Sequence, residues 1–176
     1  HDPITITACY SQLTHHDETM KTANAFIYAI DNKRYLVTTA HLLFDSWKST
    51  DSALPTIIKS MKQKLNNYWY SRFFDVVVFD VTNIEKFNNV NSINNVVSKS
   101  PKKIHVSYKD SQSGDIFEVD ANYTKLVSSH IKLGAIGHKL NAGSSGSAVL
   151  DYDGNLVGVV TCCGDTYDNI TLVIPH

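Results

Sequence analysis

Short runs of β-branched and aromatic residues, each ended within a few positions by Gly, Asp, Asn or Pro, recur along the whole of this 176-residue chain. Runs of that length suit strands and are too short for helices with a buried face. Residues Pro3 to Tyr10 alternate Ile4, Ile6 and Ala8 against Thr5 and Thr7, which predicts a first strand. His15 to Lys21 is polar and reads as a loop. Ala25 to Ile30 and Tyr35 to Thr39 flank Asp31-Asn32-Lys33, a turn of residues that tolerate positive φ, so a hairpin is expected there. Phe73 to Phe79 reads as a buried strand interrupted by one acid, Asp75. Further runs follow at 103–108, 116–119, 123–126, 130–136, 148–150, 156–162 and 170–174. Strands this short and numerous, separated by turn residues, predict an all-β barrel or sandwich in each half.

One segment breaks the pattern. In Pro55 to Asn67, Ile57, Ile58, Met61 and Leu65 recur at helical spacing with lysines on other faces, so a short surface helix is expected in the first half. The Asn- and Ser-rich stretch from Asn83 to Ser100, followed by Pro101, reads as the connection between two halves. The expected division is residues 1–92, a connecting segment 93–104, and residues 105–176.

Sixteen Lys and Arg stand against seventeen Asp and Glu, with no basic stripe, so nucleic-acid binding is not expected as the main task. The longest apolar runs fall far short of the roughly 20 residues a membrane helix needs. Cys9, Cys162 and Cys163 cannot form a disulfide framework, which favours reduced thiols and a reducing compartment over secretion. The sequons at Asn122 and Asn169 pull weakly the other way in a chain rich in Asn and Thr. A start at His1 suggests a processed product or an excised fragment. His15 and His16 beside Cys9 show no recognised ligand spacing, so no metal site is expected.

Three places combine reactive side chains with turn chemistry. The strand Leu36 to Thr39 runs straight into His41, Asp75 enters an apolar strand, and Ser145 sits in the turn Gly143-Ser144-Ser145-Gly146-Ser147. A serine hydroxyl becomes a nucleophile only when a base within about 3 Å takes its proton. Histidine is matched to that at neutral pH, and a buried carboxylate can fix its tautomer. Glycine two positions before Ser145 lets the N–H groups of Gly143 and Ser145 converge as an oxyanion hole. Asp80 and Asp45 are rival acids. Ser144 and Ser147 flank the nucleophile, but only Ser145 has glycine both two before and one after.

Thr38-Thr39-Ala40-His41 resembles the Thr-Ala-Ala-His motif of chymotrypsin-like serine peptidases. Asp75-Val-Val-Val78 resembles their Asp-Ile-Ala-Leu segment, and Gly143 to Ser147 resembles their Gly-Asp-Ser-Gly-Gly turn. Leu156 to Thr161 is similar to the strand that follows it. The order His, Asp, Ser also fits. The resemblance implies two six-stranded antiparallel β-barrels with the site between them. His41 would be the general base and then acid, Asp75 its orienter, Ser145 the nucleophile, and Gly143 and Ser145 the oxyanion donors. Thr161, Cys162 and Cys163 would pair with an extended substrate, and His138 and Lys139 would lie near the primary pocket, where a cation favours an acidic P1 residue. Lys139 facing solvent is the competing reading.

The family's Ile-Val-Gly-Gly start is absent, and Ser144 stands where its activation switch uses Asp. With few cysteines, the chain resembles small viral polyprotein-processing or intracellular bacterial members. The implied function is a serine endopeptidase needing no cofactor, acting on a polypeptide or on its own precursor. An inactive relative serving as a peptide-binding or scaffolding module is the alternative.

Overall fold

The computed structural model describes residues 3–11, 18–43, 55, 57–70, 75–126, 133–137, 140, 143–162 and 170–173. Among them are fourteen strands and two single 3-10 turns. The first half holds β1 (Ile4–Ser11), β2 (Glu18–Ile30), β3 (Lys33–Thr38), β4 (Ile57–Ser60), β5 (Gln63–Lys64), β6 (Tyr68–Tyr70), β7 (Val77–Asp80) and β8 (Ser92–Ile93). The second holds β9 (Lys103–Lys109), β10 (Ile116–Leu126), β11 (Leu133–Ile136), β12 (Ala148–Leu150), β13 (Leu156–Cys162) and β14 (Ile170–Val173).

The first sheet runs β5-β4-β1-β2-β3-β7-β6, with β8 added parallel to β2. Its curl comes from β2, which pairs with β1 along Glu18 to Ala25 and with β3 along Phe26 to Ile30. The second sheet closes as a six-stranded barrel, β10-β11-β14-β13-β12-β9. Where six strands are expected in the first half, eight are present, two of them only two residues long. The architecture is otherwise the expected two-part all-β one.

Strand patterning follows from burial. Along β1, Ile4, Ile6, Ala8 and Tyr10 are buried while Thr5, Thr7 and Cys9 are half-buried, the period of two that a pleated strand imposes. Asp31 and Asn32, at φ 49° and 64°, make the turn expected between β2 and β3, while Lys33, expected in that turn, already opens β3.

The expected helix over Pro55 to Asn67 is not there. Residues 57–64 form a hairpin, β4 pairing with β1 through Ile6↔Ser60 to Cys9↔Ile57 and with β5 through Ser60↔Gln63. Its turn is Met61-Lys62, at φ 52° and 62°. Ile58 and Ser60 face inward, Lys59 is exposed, and Met61, which a helix would bury, is 41% exposed. Pairing with β1 satisfies the backbone and buries Ile58 and Leu65 together, and that tertiary gain overrides the local spacing. The polar loop expected over His15 to Lys21 likewise gives way from Glu18 onward, where β2 pairs with β1. Trp69 and Tyr70 are exposed on β6.

Each half has its own core, one around Ile6, Ile27, Leu36, Phe79 and Phe87, the other around Ile104, Val106, Ile136 and Val160. A third cluster forms the seam between them: Phe26, Val37 and Ile93 from the first half meet Ala148, Leu150, Leu156 and Val159 from the second. Burying such side chains is worth about 1.5–3 kcal/mol each, so the seam holds the two halves in a fixed relation. Among the described residues no helix is long and apolar enough to cross a membrane.

Candidate active site

The ladder between β3 and β7 decides where His41 and Asp75 meet. Thr38 pairs with Val77, so the chain leaving β3 and the chain entering β7 lie side by side at one end of the ladder. Asp75 is two residues before Val77, and His41 is three after Thr38, in a 3-10 turn spanning Ala40–Leu42. The Asp75 carboxylate contacts His41 twice: Oδ1 accepts the His41 backbone N–H at 2.7 Å, and Oδ2 lies 2.5 Å from Nδ1. Asp75 is 8% exposed, so this charge is shielded from water and directed at the ring. Two-point contact of this kind fixes the ring with Nδ1–H toward the acid and leaves Nε2 as the basic nitrogen.

The rival acid Asp80 pairs with Tyr35 at the other end of the same ladder, three residues and about 10 Å away. Its Oδ1 accepts from the Thr82 hydroxyl at 2.6 Å and from the Thr82 N–H at 3.0 Å. The hydroxyl bond above all holds its carboxyl below the usual range. Asp80 thus serves a turn. Asp45 lies outside the described residues.

The serine turn comes from the second half. Gly143 and Gly146 have φ of 91° and 87°, the left-handed region where a side chain would be strained. Ser144 and Ser147 are buried, and the Ser147 hydroxyl donates to the Ser144 carbonyl at 2.6 Å. Ser145 alone of the three is half-exposed, and it lines a cleft of about 320 Å³ together with His41, Leu42, Gly143 and residues 21–23 of β2. Its hydroxyl donates to the Thr161 carbonyl at 3.5 Å, and not to His41. Among the described residues, no acceptor takes the N–H of Gly143 or of Ser145. His41, Ser145 and Gly143, the last two with unengaged amides, therefore line one cleft.

Thr161 lies buried where the β13–β14 register shifts, between Val160↔Thr171 and Cys162↔Ile170. Past Val159, no strand pairs the other flank of β13 among the described residues. The serine turn takes over there, through Gly146 N–H to Val160 O at 2.8 Å and Val160 N–H to Ser147 O at 2.9 Å. The expected pocket residues His138, Lys139 and Cys163 lie outside the described residues, as do His15 and His16. Cys9 forms no disulfide among the described residues, and no group of three metal-ligating side chains occurs among them.

Comparison with solved structures matches this arrangement of sheets. The active form of the Rv3671c protease from M. tuberculosis aligns over 97% of this chain and 75% of its own, at 14% identity and a TM-score of 0.63. The human pathogenic astrovirus serine protease aligns over 98% and 89%, at 12% identity and a TM-score of 0.60. Catalytically inactive tobacco etch virus protease, complexed with substrate, aligns over 97% and 78%, at 14% identity and 0.58. The fold is the chymotrypsin-like one. The sequence itself matches no protein-family model and no curated protein sequence.

One contributor escaped the motif reading. Asn24, in the unremarkable run Thr22-Ala23-Asn24-Ala25, is 4% exposed and bonds to the serine turn from the opposite half. A buried Asn in a strand edge has no local sequence signal.

Proposed function

We propose that this chain is a serine endopeptidase acting through an acyl-enzyme. The observation that carries the reading is the double contact of Asp75 with His41, at 2.7 and 2.5 Å, facing the cleft that Ser145 shares with two unengaged amides. Rotation of the Ser145 hydroxyl away from Thr161 lets Nε2 of His41 take its proton as Oγ bonds to the scissile carbonyl carbon. The carbonyl π electrons move to oxygen, and the N–H groups of Gly143 and Ser145 receive that charge. Collapse breaks the C–N bond while His41 returns the proton to the leaving amine. Water then repeats the sequence on the ester and frees Ser145. The reaction so written calls on protein groups alone.

An extended peptide is the substrate, lying beside β13 at Thr161 and Cys162 by strand addition as the family resemblance implies. Cleavage after acidic residues under the influence of Lys139 and His138, release of the chain from its own precursor or a longer polyprotein, and work in a reducing compartment belong to the same proposal. The substrate-bound tobacco etch virus protease among similar folds and the small number of cysteines support them.

The alternative, a peptide-binding module without turnover, draws on the Ser145 hydroxyl donating to Thr161 and not to His41. A fluorophosphonate probe separates the two. Labelling of wild type at Ser145, absent in Ser145→Ala, is the expected result, and a folded wild type that stays unlabelled would end the hydrolase reading. Cleavage-site profiling of the same pair on proteome-derived peptides reads the P1 preference.

A further inference from the structure

We infer that Asn24 is a positioning residue, which holds the oxyanion-forming turn of the second half in register with the His41 base of the first; the inference rests on the hydrolase reading. Asn24 sits at the corner of β2, two residues before Phe26, where that strand exchanges β1 for β3 as its partner. From there it makes five hydrogen bonds to three separate segments. Its backbone N–H donates to the Ser145 carbonyl at 2.9 Å. Its side-chain Nδ2 donates to the Gly143 carbonyl at 2.7 Å and to the Lys109 carbonyl at 3.0 Å. Its Oδ1 accepts the Lys109 N–H at 2.9 Å, and its own carbonyl accepts the Thr38 hydroxyl at 2.7 Å.

The chemistry of these partners specifies the residue. Both side-chain N–H groups face carbonyl oxygens, which only accept, and the side-chain oxygen faces an N–H, which only donates. A flipped amide would set oxygen against two oxygens. Aspartate would do the same with a charge, and leucine or alanine would take this donor from the part-buried Gly143 and Lys109 carbonyls. No other side chain of this size supplies two donors and one acceptor in that geometry.

The consequence falls on the reaction. Gly143 and Gly146 give the serine turn little stiffness of its own, since glycine populates many backbone states. The turn needs to be held from outside, and Asn24 takes the carbonyls of the two cleft-lining residues whose N–H groups are unengaged among the described residues. Any rotation swinging those N–H groups aside would break two bonds at once. The Lys109 bonds anchor the side-chain amide to β9 of the closed barrel, and the Thr38 hydroxyl ties the Asn24 backbone carbonyl to β3, three residues before His41. Base and oxyanion donors are thereby placed relative to each other through one buried residue, its side chain reaching Gly143 and Lys109 and its backbone Ser145 and Thr38.

The test uses a biotinylated fluorophosphonate on wild type, Asn24→Ala and Asn24→Asp, with rate and end point recorded separately and folding checked by circular dichroism. Displacing reacting groups by about 1 Å costs roughly a hundredfold in rate. Labelling about ten- to a hundred-fold slower is therefore expected in both variants, slower in Asn24→Asp, with the end point still one label per chain. The pH midpoint of labelling should match wild type in Asn24→Ala, because Asn24 does not touch the His41–Asp75 pair. A rate within about threefold of wild type in either folded variant would overturn the inference. So would a reduced end point at unchanged rate, which marks mere loss of folded protein, and so would failure of both variants to fold. An unlabelled wild type would instead overturn the hydrolase reading before the variants are compared.

Discussion

Gly146→Ala tests the contact between the two halves at its tightest point. A Cβ built on Gly146 falls 1.9 Å from the Asn24 carbonyl oxygen and 2.5 Å from the Thr38 hydroxyl, at a φ of 87°. Gly154 provides the control, with φ of 82° and nothing within 4 Å of its Cβ. Both substitutions carry the left-handed penalty of about 1–2 kcal/mol. Only Gly146→Ala must also push β2 and the serine turn apart by more than an ångström, which adds about 1–3 kcal/mol of overpacking. The same movement strains the Asn24 N–H to Ser145 and Thr38 to Asn24 bonds, worth about 1 kcal/mol each. Gly146→Ala should therefore be less stable than Gly154→Ala by about 3 kcal/mol. At about 2–4 °C per kcal/mol for a chain of this size, its melting point should lie roughly 6–12 °C lower. Urea titration followed by tryptophan fluorescence, in a Ser145→Ala background to prevent self-cleavage, measures the difference. Equal midpoints would mean that the turn does not rest on β2, and the placement of the oxyanion donors by Asn24 would fall with it.

Asp75→Asn leaves His41 facing an amide, favours the tautomer with Nε2 protonated, and should slow fluorophosphonate labelling roughly 10⁴-fold; Asp80→Asn, at the other end of the ladder, should leave it unchanged. A loss below about tenfold for Asp75→Asn would remove the acid from the mechanism. Tyr123 has a buried hydroxyl without a partner among the described residues, and burial pushes its pKa up from 10.0 to about 12. A raised folded-state pKa stabilises fully below pH 10.0 and is lost as pH rises toward about 12, so wild-type stability should fall across that window by about 2–3 kcal/mol. Tyr123→Phe should abolish that fall at no cost near neutral pH, and a clear destabilisation of the variant in urea at pH 7 would show the hydroxyl to be paired. The double change Met61→Asn with Lys62→Gly supplies the residues that a turn with two positive φ values favours, and should raise the urea midpoint by an amount equal to about 1 kcal/mol. No gain would argue against the hairpin.

The parts legible in the sequence are those whose determinants are contiguous. The strand Leu36 to Thr39 followed by His41, and the glycine-spaced serine turn, are short stretches in which the chemistry itself dictates residue type and spacing. The alternation along β1 is local for the same reason. The hairpin at residues 57–64 was not legible, because Ile57, Ile58, Met61 and Leu65 satisfy a helical period as well as they satisfy two short strands. What selects the hairpin is pairing with β1, some 50 residues earlier, and a Met-Lys turn lacks the Asn or Gly that would have announced it. The choice between Asp75 and Asp80 is an intermediate case. Both lie in one apolar run, and only the Thr38↔Val77 register shows that one of them shares an end of the ladder with His41.

Asn24 marks the limit of such reading. Its side-chain partners are 85 and 119 positions away, and its role depends on two carbonyls whose neighbouring amides are wanted for something else. Motifs record the groups that touch the reacting atoms, because few residue types can do that work. A group that positions those residues can be any donor of the right reach, from any strand that passes. A segment can therefore resemble a family's motif closely while the scaffold behind it is held by contacts particular to this chain.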